Sequence, residues 1–401
     1  MNLAVCFTNF GPYHLARLRA LAERLAERGD RLMAYEVAGS ERTYPWTRSR
    51  HDEPFEWLTL FPDRVLETIE PEDCREAMIE ALERDRPTAV GIVGYARPES
   101  MAAARWARRR RRPAVLMSES QEIDRSRVWW KELIKRRRAR LFDAAVVGGP
   151  SHRDYLARLG MSPDRITLGY NAVDNDYYAA AARRWREDPS GRSGLPHAPY
   201  VLAVSRFVPE KNLVRLIEAF ARYRRGATEH LAWDMVLCGD GPGKAQVESA
   251  VAESGFAHAI HRPGFLQVGD LPRWYAHAGA FILPSLMEPW GLVVNEAAAS
   301  GLPLLVSSRA GCSATLVPEP EGTTGARFDP LDVEGIAAKL SWMAKMPGET
   351  LESMGRRAAE TVALWGPDRF AQGVVEAIAL ARNPHPRHIP FKMSASHGDR
   401  R

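Results

Sequence analysis

The chain has 401 residues, 45% of them hydrophobic and 26% charged, which suits two globular domains of middling size better than one. No stretch is apolar enough to span a bilayer, and the opening run Met1–Phe7 lacks the basic start, length and small-residue cleavage site of a signal peptide. Four cysteines (Cys6, Cys74, Cys238, Cys312) lie far apart and fit no CxxC or His/Cys ligand spacing, so the expectation is reduced core thiols in a cytoplasmic protein, with neither disulfides nor a zinc site. The net charge of +5 is unevenly placed: between Arg105 and Arg140 fourteen Arg and Lys face four Asp and Glu, leaving the rest of the chain slightly acidic. A concentrated basic surface implies an anionic partner: a membrane face, a lipid-linked phosphate or a nucleic acid.

In chain order, short apolar runs alternate with helical patterns, twice over. The first series of runs is Leu3–Phe7, Leu32–Val37, Ala89–Val93, Ala114–Met117 and Ala144–Val147. Between the first two, Leu15, Leu18, Ala22 and Leu25 form a helical stripe that ends at Gly29. The second series is Tyr200–Val204, Met235–Cys238, Ala280–Leu283 and Leu304–Ser307, with Leu213, Leu216, Ile217 and Phe220 on one helix face. Strands alternating with helices make right-handed βαβ units and a parallel sheet covered on both sides. Two such series predict two Rossmann-like domains, joined near 183–199, where Asp188-Pro189-Ser190-Gly191 interrupts any pattern. Helices near Val333–Lys345, Leu351–Leu364 and Asp368–Ala381 are predicted to follow with no further strong strand, and a frayed tail from Asn383. The domains expected are 1–185, completed by a helix at 366–382, and 196–365, before a tail at 383–401. No internal repeat is visible beyond this twofold plan.

In open α/β sheets ligands bind where strands lead into helix N-termini, and the unusual residues of the second series cluster at those junctions. After Tyr200–Val204 come Arg206 and Lys211; after Met235–Cys238 comes the turn Gly239-Asp240-Gly241-Pro242-Gly243; after Ala280–Leu283 comes Glu288-Pro289-Trp290-Gly291-Leu292-Val293-Val294-Asn295-Glu296. Glycines, paired cations and two carboxylates at one sheet edge fit a nucleoside diphosphate bearing a polyhydroxylated group. Cleaving a sugar–diphosphate bond leaves negative charge on the departing phosphate, which must be neutralised in place. Arg206 and Lys211 supply cations for this, and the N–H groups of Gly291, Leu292 and Val293 a helix N-terminus. Glu296, in the helix's second turn, is placed to accept ribose hydroxyls. Glu288, ahead of the helix, is placed to face the sugar and to favour positive charge at the anomeric carbon. Each part has a plainer reading: solvated cations, an ordinary turn, two glutamates spaced by chance. Their shared type of junction points to a nucleotide-binding enzyme, with a non-catalytic α/β protein as the alternative.

From Tyr200 to about Val317 these residues resemble the retaining GT-B glycosyltransferases, specifically glycosyltransferase family 4. The resemblance rests on Val204-Ser205-Arg206 through Lys211, Leu216–Phe220, Cys238–Pro242, Leu283-Pro284-Ser285 through Ala297, and Ala299–Pro303. Glu288 and Glu296, separated by seven residues, carry its most specific mark. It implies an α/β architecture of two facing Rossmann-like domains, donor bound mainly by the second and acceptor by the first, with a C-terminal helix crossing back to the first. It implies hexosyl transfer from a nucleoside-diphosphate sugar with retained configuration, as in polysaccharide biosynthesis, with no metal and no cofactor besides that co-substrate. By position Arg206 and Lys211 match the diphosphate pair, Glu296 the ribose carboxylate and Glu288 the sugar-side carboxylate. Asp174-Asn175-Asp176 looks like a metal-binding DxD, but Asn171-Ala172-Val173-Asp174 matches the family's segment at the domain junction.

The first half departs from the family. Only Gly11, in Asn9–His14, stands where a Gly-Gly loop is usual, and the resemblance gives its N–H to the diphosphate. Ser118-Glu119-Ser120-Gln121-Glu122 replaces the segment in which many members carry a histidine, leaving Glu119 and His14 as acceptor-side candidates. A lone histidine at a helix start is more often a cap. The window 126–140, with Trp129, Trp130, Leu133 and Ile134 among cations at helical spacing, is expected to touch an anionic membrane peripherally on the cytoplasmic face. The ordinary alternative makes Val128, Leu133 and Ile134 core contacts. Nucleic acid is not expected, since no recognition fold is present. The first functional reading is a retaining glycosyltransferase acting on a glycan, lipid-linked or small-molecule acceptor. A sugar-nucleotide epimerase, a phosphorylase and a catalytically inactive sugar-nucleotide-binding protein remain as alternatives.

Overall fold

The computed structural model describes residues 1–42, 52–124, 127–228 and 232–383. Ser126, at the head of the basic window, and the tail beyond Asn383 lie outside them. The first sheet contains β1 (Asn2–Phe7), β2 (Arg31–Ser40), β3 (Glu56–Val65), β4 (Ala89–Val93), β5 (Ala114–Ser118), β6 (Ala144–Val147) and β7 (Ile166–Leu168). Its helices are α1 (Pro12–Ala26), α2 (Pro71–Asp85), α3 (Pro98–Arg109), α4 (Trp129–Ala139) and α5 (Pro150–Arg158). After α6 (Asn175–Glu187) comes the second sheet: β8 (Tyr200–Val204), β9 (Asp234–Cys238), β10 (Ile260–Gly264), β11 (Ala280–Leu283), β12 (Leu304–Ser307) and β13 (Gly325–Phe328). Among these strands run α7 (Leu213–Gly226), α8 (Lys244–Glu253), α9 (Leu271–His277), α10 (Leu292–Ala299) and α11 (Ser313–Leu316). The chain then continues through α12 (Val333–Ala344), α13 (Gly348–Ala363) and α14 (Pro367–Arg382).

Among the described residues every strand pairing is parallel. The orders are β3-β2-β1-β4-β5-β6-β7 and β10-β9-β8-β11-β12-β13, each the doubly wound Rossmann arrangement. Sequence order reverses between β1 and β4 in one sheet and between β8 and β11 in the other. Those reversals open the crevices where ligands bind.

Among the described residues the apolar runs foresee the nine interior strands and miss the four edge strands, β3, β7, β10 and β13. An interior strand of a covered parallel sheet is buried on both faces and reads as a continuous apolar run. The edge strands β3 and β10 are partly exposed, β3 carrying Pro62, Asp63 and Arg64 and β10 reading Ile-His-Arg-Pro-Gly, while β7 and β13 are only three and four residues long. β13 also corrects the expectation that no further strand follows β12; its four residues pair with Leu304–Ser307.

Both sheets are packed on both faces. In the first, Met78, Leu82, Met101, Trp106 and Leu156 cover one face, while Leu18, Leu21, Phe370, Val374 and Ile378 cover the other. The last three belong to α14, which crosses back against α1 and the β5–β7 edge, its Gly373 carbonyl accepting from Thr167 Oγ1 at 2.8 Å. In the second, Leu216, Phe220, Val247, Ile336 and Leu340 lie on one face and Tyr178, Tyr275, Val294 and Ala358 on the other. Tyr178 is on α6, ahead of the expected join, and α6 packs on α9 and α10 of the second half. All four cysteines are buried and free. Among the described residues no helix is long and apolar enough to cross a membrane.

Candidate active site

Three loops at the C-terminal edge of the second sheet are bound into one surface. The loop after β8 takes a bond from that after β11, Leu286 N–H to the Glu210 carbonyl at 2.8 Å, and Asn212 Nδ2 donates back to the Pro284 carbonyl at 3.0 Å. The loop after β9 closes on the same β8 loop: Phe207 N–H donates to the Asp240 carbonyl at 2.9 Å. Gly239 has φ +142°, and a Cβ there would meet the Ser205 carbonyl oxygen at 1.8 Å, so only glycine lets these two loops touch. Asp240 itself is exposed and accepts from the Gly241 N–H.

At the reversal between β8 and β11, Lys211 forms an ion pair with Glu288, whose carboxylate also accepts from Ser285 Oγ at 3.2 Å. The Lys211 side chain comes off the short 3-10 turn that leads into α7, and Glu288 off the loop that leads into α10. The two residues that the sequence assigns to the phosphate and sugar sides are thus adjacent. Arg206 lies half-buried in the same β8 loop. Gly291 caps α10 with φ +103°, in the left-handed region that glycine tolerates, and the Val294 N–H closes the first turn on the Gly291 carbonyl at 2.8 Å. Leu292 and Val293, which begin that turn, are half-buried.

Glu296 is fully buried in α10. Its carboxyl accepts from Tyr275 at 2.7 Å and, across the cleft, from Tyr13 of α1 at 2.5 Å. Burial pushes its pKa above the usual carboxylate range, opposed by the tyrosine bonds. In this structure a phenol therefore occupies the carboxyl that the sequence assigns to a ribose.

On the first-half side, Glu119 follows β5 and opens to the cleft, accepting from Asn171 Nδ2 at 2.9 Å. The protein crowding its other sides raises its pKa, against the bond from Asn171 and the nearby Arg17 charge. The Gly11 N–H, which the resemblance gives to the diphosphate, donates to His14 Nδ1 at 3.0 Å. That bond caps α1, and the His14 ring packs edge-on against Phe7. The amide assigned to the diphosphate is engaged locally. Asp174 caps α6, accepting from Tyr177 N–H at 2.9 Å, a structural use of the DxD look-alike.

Several residues at the site carry no sequence assignment. Tyr13 and Gln121 sit inside segments singled out above, and Ser285 lies three before Glu288. Asn171 opens the junction segment Asn171–Asp174 named above, and His152 gives a weaker signal, although Gly148-Gly149-Pro150-Ser151-His152 is another strand-to-helix junction of the kind that marked the second half.

The basic window is resolved differently from its ordinary reading. Leu133 and Ile134 are 46% and 41% exposed, Trp129 is 80% exposed, and the only buried residue of α4 is Ala139. The core alternative for Leu133 and Ile134 is thereby excluded, and α4 presents aromatic and aliphatic side chains to solvent among Lys131, Lys135, Arg136, Arg137 and Arg138.

Residues 189–361 match the family model of the glycosyl transferases group 1, and residues 16–177 that of glycosyltransferase family 4. A sulfoquinovosyl transferase from Arabidopsis thaliana is 31% identical over 55% of this chain and 40% of its own length. An MMP alpha-(1->4)-mannosyltransferase from Mycolicibacterium hassiacum is 29% identical over 71% of this chain and 63% of its own length. The chain thus spans less than two thirds of either relative. Among solved structures, sucrose-phosphate synthase from Thermosynechococcus elongatus superposes with a TM-score of 0.69 over 93% of this chain and 97% of that one, at 19% identity, which speaks for the fold. Two consecutive family matches, laid over two facing doubly wound sheets with a helix that returns to the first, lead to one assignment: the chain belongs to glycosyltransferase family 4, of GT-B fold.

Proposed function

We propose that this chain is a retaining glycosyltransferase that moves a sugar from a nucleoside diphosphate to a glycan, lipid-linked or small-molecule acceptor. The observation that carries the reading is the Lys211–Glu288 pair at the sheet's reversal point. The bond to be broken joins a phosphate to an anomeric carbon, so a cation and a carboxylate side by side suit its two ends. Lys211 and Arg206 neutralise the departing phosphate, with the N-terminus of α10 adding N–H groups. Glu288 binds sugar hydroxyls and favours positive charge at the anomeric carbon. Glu296 takes the ribose, and Gly239 and Asp240 close the far wall. The second half, 196–365 together with α6, holds the donor, and the remainder of 1–185 with 366–382 presents the acceptor beside Glu119. The acceptor hydroxyl attacks from the face the phosphate leaves, and a phosphate oxygen takes its proton.

The test is a thermal-shift screen across UDP, GDP, ADP and TDP, then the corresponding sugars. One nucleotide at about 100 times its Kd adds roughly 2.7 kcal/mol of stability. No shift with any of the four would sink the reading. Turnover without acceptor, or a requirement for phosphate, would favour an epimerase or a phosphorylase.

The exposed face of α4 supports a further part of the proposal, peripheral binding to an anionic membrane. Its aromatic and aliphatic side chains suit the interface, and each Lys or Arg near anionic head groups contributes about 1 kcal/mol. Wild-type protein is expected to float with anionic vesicles at low salt and to release as salt rises, and the double variant Trp129→Ser, Trp130→Ser to stay in the pellet. Failure of the wild type to float would end this part alone.

A further inference from the structure

The catalytic loop of the second half is held from the first half. His152, in the first turn of α5, is fully buried. The Gly149 N–H donates to its Nδ1 at 3.1 Å, so the ring proton sits on Nε2, which donates to the Pro289 carbonyl at 2.7 Å. Burial pushes the imidazole pKa down and favours the neutral tautomer that both bonds need. One residue earlier on the receiving loop, the buried Gln121 donates from Nε2 to the Glu288 carbonyl at 2.9 Å. Ser151 Oγ donates to Gln121 Oε1 at 3.3 Å, which joins the two clamps.

Two consecutive peptide carbonyls of one half are thus gripped by side chains of the other. Pro289 has its φ set by the ring, and a residue before proline is confined to extended conformations. With both carbonyls anchored, little freedom remains in the backbone that aims the Glu288 side chain. Space has been cleared for the contact. A Cβ on Gly311 would lie 1.9 Å from the Pro289 carbonyl oxygen and 2.8 Å from His152 Cε1, and one on Gly148 would lie 3.0 Å from Trp290 and 3.1 Å from His152. Trp290, the next residue of the loop, is buried against the His152 ring at 5.7 Å between centroids.

We infer that His152 and Gln121 are positioning residues for the Glu288 carboxylate, and that the transfer site is complete only while the two halves are docked through them. Neither side chain need touch substrate. The inference rests on the reading of Glu288 as the sugar-side carboxylate.

The experiment compares His152→Phe, which keeps ring bulk and loses the donor, with Gln121→Leu and with His152→Gln, which retains an N–H. In the first two, kcat for sugar transfer should fall about 10- to 100-fold, because a catalytic group misplaced by about 1 Å costs that much. The KM for the donor should stay within about twofold, and His152→Gln should recover part of kcat. Without substrate, the Gly311 and Cys312 amides, which donate to the Glu288 and Trp290 carbonyls, should exchange faster in both variants. If His152→Phe does not fold, Gln121→Leu carries the test. An unchanged kcat, or a loss that falls on KM alone, overturns the inference. If the unsubstituted protein releases no nucleoside diphosphate from any sugar nucleotide, the reading of Glu288 fails instead. The exchange rates then decide whether His152 and Gln121 hold the loop.

Discussion

Glu288→Ala is expected to lower kcat for sugar transfer by about 10²- to 10³-fold, the usual effect of removing a group that stabilises charge only in the transition state. Binding of the nucleoside diphosphate should weaken little and is more apt to tighten. In the ligand-free structure Glu288 neutralises Lys211, so its removal releases that ammonium to the phosphates. Ser285, which is fully buried, loses its acceptor as well, and that loss falls on stability and not on donor affinity. Glu288→Gln is the closer control: it keeps the volume and loses the charge, and should also be slow. Steady-state kinetics with titration calorimetry on the same variants separates the two effects. Wild-type kcat in both would remove Glu288 from the reaction. A loss equal in kcat and in donor affinity would make it a binding residue.

The second large effect is expected at Glu296. Glu296→Ala should weaken donor binding by roughly 10- to 100-fold, corresponding to about 1.5–3 kcal/mol for hydrogen bonds to a charged group. The structure adds a competing effect of opposite sign. Tyr13, from the first half, holds the same carboxyl, and a ribose must displace its hydroxyl. Tyr13→Phe removes that competitor while leaving Tyr275 in place, so donor affinity should rise or hold where Glu296→Ala loses it. Donor affinity in Glu296→Ala equal to wild type would make Glu296 a buried structural acid.

The same carboxyl has a pH signature. Its folded pKa is raised by burial above the ordinary 4.5, so the fold favours the neutral acid. Its contribution to stability is then complete below the unfolded pKa and is lost as pH climbs through the raised folded value. Glu296→Gln, which never ionises, should gain thermal stability relative to wild type as pH rises across that window. A difference in Tm that is flat with pH would contradict the argument.

Particular residues show where reading along the chain succeeds. β4, β6, β8, β11 and β12 are legible to the residue, because a central strand of a covered sheet has no polar face to interrupt it. The same logic hides β3 and β10, whose open edges admit Pro62, His261 and Arg262, while β7 and β13 are too short to form a distinct run. At the candidate site, the loops that bear Arg206, Lys211, Glu288 and Glu296 stand out because each joins a legible strand to a legible helix. Their residue types suggest the chemistry before any contact is known.

By itself, then, the sequence determined the two doubly wound halves, the sheet edge that carries the candidate donor site, and the family. Only the tertiary structure decided what those residues touch. Tyr13 on Glu296, Gln121 and His152 on the loop of Glu288, and Lys211 on Glu288 itself join positions 77 to 283 apart along the chain. Local pattern has no term for such pairs, since the contacts of Tyr13, Gln121 and His152 form when the two sheets face each other and that of Lys211 when β8 and β11 pair. It likewise marks α4 as amphipathic without saying whether its apolar side is covered. Whether a neighbour packs there is set by how the whole chain folds, and here Trp129, Leu133 and Ile134 are left in water.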